Sequence, residues 1–114
     1  MPYIAINTTQ ELSENQKEKI KTELGRLITI IPTKTEAGLL IDFSGSRTVY
    51  KAGKKVQSAF IDLRLYHKSE YEPKKKFTEE TFDLFARELG LEKENMYLTI
   101  MEFDNWGAAG TLKL

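Results

Sequence analysis

Ala59-Phe60-Ile61-Asp62-Leu63-Arg64-Leu65-Tyr66 alternates without a break: Ala59, Ile61, Leu63 and Leu65 lie on one side, and Phe60, Asp62, Arg64 and Tyr66 on the other. Strand side chains point to opposite faces in turn, so the segment predicts a β-strand with one face buried under a core. Downstream, Pro73-Lys74-Lys75-Lys76 reads as a break. Thr78 is then the expected N-cap of a helix, with Glu79 and Glu80 in its first turn and Phe77 stapled onto Phe82. Phe82, Phe85, Ala86 and Leu89 form the apolar stripe of that helix, Gly90 follows as its expected C′ residue, and Met96 to Phe103 is the next strand. Strand, helix and strand make a βαβ unit, whose two strands run parallel through a right-handed crossover.

The first half of the chain reads the same way. Tyr3 to Asn7 is a short apolar strand. Ser13 and Gln16 have the spacing of a capping box, so a helix should start there. Ile20, Leu24, Leu27, Ile28 and Ile31 occupy one face of that helix, and Pro32 ends it. Leu39-Leu40-Ile41-Asp42-Phe43 is a second buried strand, followed by the turn-forming Ser44-Gly45-Ser46. Arg47 to Val56 is polar, with Gly53 beside Lys54-Lys55, and is expected to form a loop or hairpin without a core role. Tyr3-Ile4-Ala5-Ile6 parallels Phe60-Ile61-Asp62-Leu63, and Gly38-Leu39-Leu40-Ile41 parallels Tyr97-Leu98-Thr99-Ile100. The expectation is one α+β domain over residues 1–114, built from duplicated βαβ units at about 2–43 and 59–103, with a four-stranded mixed sheet and two helices on one face.

Composition narrows the function classes. The 114 residues carry 17 Lys+Arg against 17 Asp+Glu, so no electrostatic argument favours nucleic acid or an anionic membrane as a partner. Zero cysteine removes disulfides, thiolate metal sites and thiol nucleophiles, and a single histidine cannot build a His-rich metal cage. No cofactor is indicated. The first residues have no basic leader and no long apolar run, which predicts a soluble, cytoplasmic protein.

Two helices cover one face of the expected sheet, yet the other face also carries large side chains, among them Leu40, Tyr97, Met101 and Phe103. Packing of that face in a closed homo-oligomer is the physical expectation. The chemistry has an unusual candidate. Initiator methionine is commonly removed before a small residue, which would leave a secondary amine at Pro2 on the first strand. Burial and a neighbouring cation both penalise the charged form of such an amine, so it can serve as a general base near neutral pH without histidine.

Met1-Pro2 leading into a hydrophobic strand that ends Asn7-Thr8, Lys34 shortly before Leu39-Leu40-Ile41, and Phe85-Ala86-Arg87-Glu88-Leu89-Gly90-Leu91 through Asn95-Met96-Tyr97-Leu98 together carry a resemblance. In their order and spacing the chain resembles the tautomerase superfamily, in the branch of macrophage migration inhibitory factor and D-dopachrome tautomerase. The similarity covers nearly the whole chain and is weakest over Ser44–Ser58 and the last ten residues. The resemblance implies a homotrimer whose sheets form a central barrel, with active sites between subunits. It implies Pro2 as catalytic base in keto–enol tautomerisation of a small keto or enol carboxylate such as phenylpyruvate. It implies Lys34 as the pocket lysine and Tyr97 as an active-site tyrosine supplied by the neighbouring subunit.

Departures from the family pattern are also visible. Thr99 stands where the animal factor has a pocket asparagine, and Tyr66 where it has an aliphatic wall residue; Trp106 lines the pocket mouth or covers a neighbour's sheet edge. Arg64 and Arg47 keep open a superfamily decarboxylase or hydratase acting on a small carboxylic acid, although an ion pair with Asp62 or Asp42 is the simpler reading. His67 reads as a surface histidine. A third possibility is a trimeric binding or signalling protein without catalysis.

Overall fold

The computed structural model describes residues 1–114, and its centre is a sheet of four strands, β1 (Pro2–Thr8), β2 (Leu40–Ser44), β5 (Ala59–Tyr66) and β6 (Met96–Phe103). Between β2 and β5 lies a small hairpin, β3 (Tyr50–Lys51) with β4 (Lys54–Lys55), and after β6 a second hairpin, β7 (Trp106–Ala108) with β8 (Thr111–Lys113). The sheet order is β2-β1-β5-β6. β2 runs parallel to β1 and β6 parallel to β5, while β1 and β5 pair antiparallel in the middle, with Pro2 opposite Leu65 and Thr8 opposite Ala59. β5 and β6 have the boundaries expected from their sequence, and β5 alternates buried and more exposed residues along its whole length.

Helices α1 (Glu14–Leu27) and α2 (Tyr71–Leu89) pack on one face of the sheet. Ser13 caps α1 as its sequence predicts: its hydroxyl accepts from the Gln16 amide at 3.1 Å, and the Gln16 side chain accepts from the Ser13 amide at 2.9 Å. Ile4 and Ile6 of β1, Ile61, Leu63 and Leu65 of β5, Ile20 and Leu24 of α1 and Phe77 and Phe85 of α2 are fully buried in the layer between.

The start of α2 corrects the sequence reading. The helix begins at Tyr71 after an N-cap at Glu70, so Pro73 lies in its first turn, where the missing N–H has no intrahelical partner to lose. Thr78 is therefore not a cap. It sits inside the helix, and its hydroxyl donates to the Lys74 carbonyl at 2.8 Å. Gly90 ends the helix at φ 67°, in the left-handed conformation expected of it. The hairpin β7–β8 is absent from the sequence reading altogether.

On α2, Thr81 is fully buried and its hydroxyl has no hydrogen-bond partner. Such a group carries its desolvation cost unrelieved, so Thr81→Val, which keeps the shape, is expected to raise stability by about 1 kcal/mol. Urea unfolding measures this, and a loss of stability would contradict it.

The sheet face away from the helices has a polar centre within an apolar frame. The Tyr3 hydroxyl donates to Asp42 at 2.8 Å, Arg64 pairs with Asp62 at 3.5 Å, and the Thr99 hydroxyl donates to Asp62 at 3.1 Å. Around them Leu40, Phe60, Tyr97, Met101 and Phe103 are exposed. The ion pair expected for Arg64 is thus present, and its guanidinium also lies 5.6 Å from the centre of the Tyr3 ring.

Candidate active site

Pro2 opens β1 and is buried at the sheet end where β5 finishes, opposite Leu65. The segment linking α1 to β2 passes this end through two short 3₁₀ turns, Ile28–Ile30 and Glu36–Gly38. Gly38 borders the Pro2 ring: a Cβ on Gly38 would lie 3.8 Å from Pro2 Cδ, in van der Waals contact. Lys34 lies between the two turns and is 8% exposed. Its Nζ donates to the Tyr66 carbonyl at 2.7 Å, so one of its three donors is held by backbone at the end of β5.

The hairpin β7–β8 completes this end. Trp106 has its ring centre 6.1 Å from that of Tyr66 and 6.2 Å from that of Phe103. Next to them a cavity of about 330 Å³ is lined by Thr33, Lys34, Tyr66, His67, Lys68 and Ser69, among others. His67 is solvent-exposed as its sequence predicts, but its ring also stacks on Tyr66, with centroids 3.8 Å apart. The sequence reading gave it no part in a site.

Electrostatics at this end disfavour positive charge. The terminal amine, one residue before Pro2, is held below its usual range by burial first, then by the charge of Lys34 and a hydrogen bond from it, and also by the charge of Lys113. Burial likewise lowers Lys34 itself. Lys113 lies on β8, so the unforeseen hairpin adds a second cation acting on the amine. Pro2 follows directly in the chain and is itself buried.

Of the residues singled out from sequence, Pro2, Lys34, Tyr66 and Trp106 come together here. Tyr97 and Thr99 do not. Tyr97 pairs with Phe60, which pairs with Asn7, placing it five residues along the sheet from Pro2, a distance of about 17 Å at the usual rise per residue. Tyr97 is 45% exposed on the open face, stacked with Phe60 at 6.4 Å, and the Lys51 ammonium stands 5.4 Å from its ring centre. It borders a separate cavity of about 390 Å³, lined by Val49, Tyr50, Lys51 and Val56 among others. Arg47 is also remote from Pro2, its amide donating to Thr8 at the far end of β1. No group of three or more His, Cys, Asp or Glu side chains converges in a way that could hold a metal ion, and no helix is long and apolar enough to cross a membrane.

No protein-family model matches the chain, and no curated protein matches it in sequence. Solved structures do match in shape. MIF2 of Leishmania major superposes with a TM-score of 0.91 at 17% identity, covering 99% of this chain and 97% of its own. A macrophage migration inhibitory factor-like protein from Entamoeba histolytica gives 0.84 at 22% identity, covering 98% of both chains. A fused 4-OT described as an asymmetric trimer gives 0.83 at 14% identity, covering 96% of this chain and 94% of its own. Four strands in the order β2-β1-β5-β6 under two helices, with these neighbours across nearly the full length, give this chain the tautomerase fold in the form that macrophage migration inhibitory factors take.

Proposed function

We propose that the protein is a cofactor-independent keto–enol tautomerase of phenylpyruvate-type substrates, working as a cytoplasmic homotrimer with the Pro2 amine as general base. The observation that carries this reading is the setting of Pro2: a buried strand start beside a buried lysine, where a terminal amine is kept neutral more easily than in water. With Met1 removed, the neutral Pro2 nitrogen takes a proton from the carbon next to the substrate carbonyl. The resulting enolate is stabilised by the Lys34 ammonium, and the prolinium returns the proton to oxygen. In the reverse direction the same groups carry the proton from oxygen to carbon.

A trimer is supported by the fold neighbour described as one and by the exposed apolar frame of the open sheet face. It also gives Tyr97 and Thr99 a role, since residues too far from their own Pro2 are free to line the site of an adjacent subunit.

Intact mass followed by a phenylpyruvate ketonisation assay on the same sample tests the reading. Loss of Met1 with turnover supports it, and a retained Met1 with undiminished turnover would overturn the base assignment. The pH profile adds direction: a base requires kcat/KM to rise as the amine loses its proton, whereas an acid in a decarboxylase or hydratase requires a fall.

Lys34→Ala has two expected effects. KM rises about tenfold through loss of a charge-assisted contact to the substrate carboxylate or enolate. The apparent pKa of the base also moves upward, because a cation that lowered it is gone. Steady-state kinetics against pH reads both, and an unchanged profile would contradict the placement of Lys34.

A further inference from the structure

Two non-glycine residues adopt left-handed backbone on either side of the Lys34–Tyr66 contact: Thr33 at φ 71° and His67 at φ 73°. This region is disfavoured for any residue with a Cβ, so the surrounding structure has to hold it. At His67 two contacts do so. Its amide donates to the Phe103 carbonyl at 2.8 Å, and its ring lies on Tyr66 at 3.8 Å between centroids with 28° between planes, closer than any other aromatic pair in the chain. A glycine would take the same backbone without strain. Histidine is among the side chains that visit this region more often than most, so the turn tolerates it without requiring it, and the ring contact is what a glycine or asparagine there would lack.

The contacts run in series. The His67 ring packs on Tyr66, the Tyr66 carbonyl receives Lys34 Nζ at 2.7 Å, and Lys34 acts on the chain terminus. We propose that His67 is a positioning residue for Lys34: by stacking on Tyr66 it fixes the end of β5, and so aims the carbonyl that holds the lysine ammonium at the amine. The charged groups around the same cavity are Lys34, Lys68 and Glu70, with Lys113 acting on the amine from the neighbouring hairpin. The catalytic consequence rests on the tautomerase reading, whereas the positioning does not.

Three variants separate ring from backbone. His67→Gly removes the ring and relaxes the turn, His67→Asn keeps a residue tolerated in the left-handed region without the ring, and His67→Phe restores an aromatic ring. The Gly variant is expected to melt no lower than the parent protein, yet Gly and Asn should both raise KM about tenfold with kcat little changed, as a misplaced binding group does. In both, NMR titration of the terminal amine should move toward its ordinary range, and Phe should restore parental values of KM and titration. Parental KM and amine titration in the Gly and Asn variants, or a Phe variant that behaves like Gly, would overturn the proposal. Should the Gly variant fail to fold, the Asn and Phe pair decides alone. If the parent protein shows no turnover, the tautomerase reading fails by itself, and the amine titrations still decide the role of His67.

Discussion

Pro2→Ala is expected to lower kcat/KM for phenylpyruvate ketonisation by about 10²–10⁴-fold, the usual contribution of a positioned general base. The substitution leaves a primary amine on a freer backbone, so some residual activity is compatible with the mechanism. Extending the chain by one residue before Pro2 is the stricter version. It turns the amine into an amide that cannot accept a proton, while the proline ring and its contact with Gly38 can stay in place. Both changes should act mainly on kcat, since the Lys34 contact to substrate survives. Activity within threefold of the parent protein in both (about 0.6 kcal/mol at RT ≈ 0.59 kcal/mol) would remove Pro2 from the mechanism.

Phe85→Ala should be the most damaging change to the fold, with a loss of about 3–5 kcal/mol, from the burial given up plus the cavity left behind. Phe85 is fully buried on α2, in the layer where both helices meet the sheet. Against a typical total of about 5–15 kcal/mol for a domain, that loss leaves little reserve. Chemical denaturation measures it, and a change below about 1 kcal/mol would mean the core collapses around the gap. Phe85 has no part in the proposed site, so the molecules that remain folded should keep the parental KM.

The two effects belong to different levels, and these levels were unequally legible in the sequence. β5 and β6 could be read to the residue because a half-buried strand writes its burial into alternate positions, as Ala59, Ile61, Leu63 and Leu65 show. The start of α1 was equally clear because Ser13 and Gln16 cap each other, but its end was not: the α-helix stops at Leu27 and passes into a 3₁₀ turn over Ile28–Ile30, whereas its apolar face had pointed to Pro32. The start of α2 was not, because Pro73 and three lysines look like a break, while a first-turn proline costs a helix nothing. The hairpin β7–β8 was missed because strands of three residues have no room for a pattern. Its one signal was Ala109-Gly110, which repeats the Ala52-Gly53 turn of the earlier hairpin, with both residues left-handed in each case.

The site followed the same logic. Pro2 and Lys34 were legible through chemistry and resemblance, but that Lys34 reaches the end of β5 depends on how two 3₁₀ turns fold the segment back. Lys113 was invisible because it arrives on the missed hairpin. His67 was passed over because an exposed histidine at a strand end carries no periodic signal, and only the stack on Tyr66 distinguishes it. Tyr97 lies five register positions along the sheet from the Pro2 of its own chain, in keeping with a residue expected to serve a neighbouring subunit's site, and Thr99 lies three positions away.

The central claim is that the strand start at Pro2 holds an amine in its neutral form near physiological pH. Titration of the Pro2 nitrogen by NMR, on protein shown by mass to begin at Pro2, measures this directly. A pKa clearly below the range of a free α-amine, about 7.7–8.0, is the expected result, with an upward move in Lys34→Ala. A value within or above that range, unmoved by loss of Lys34, would contradict it.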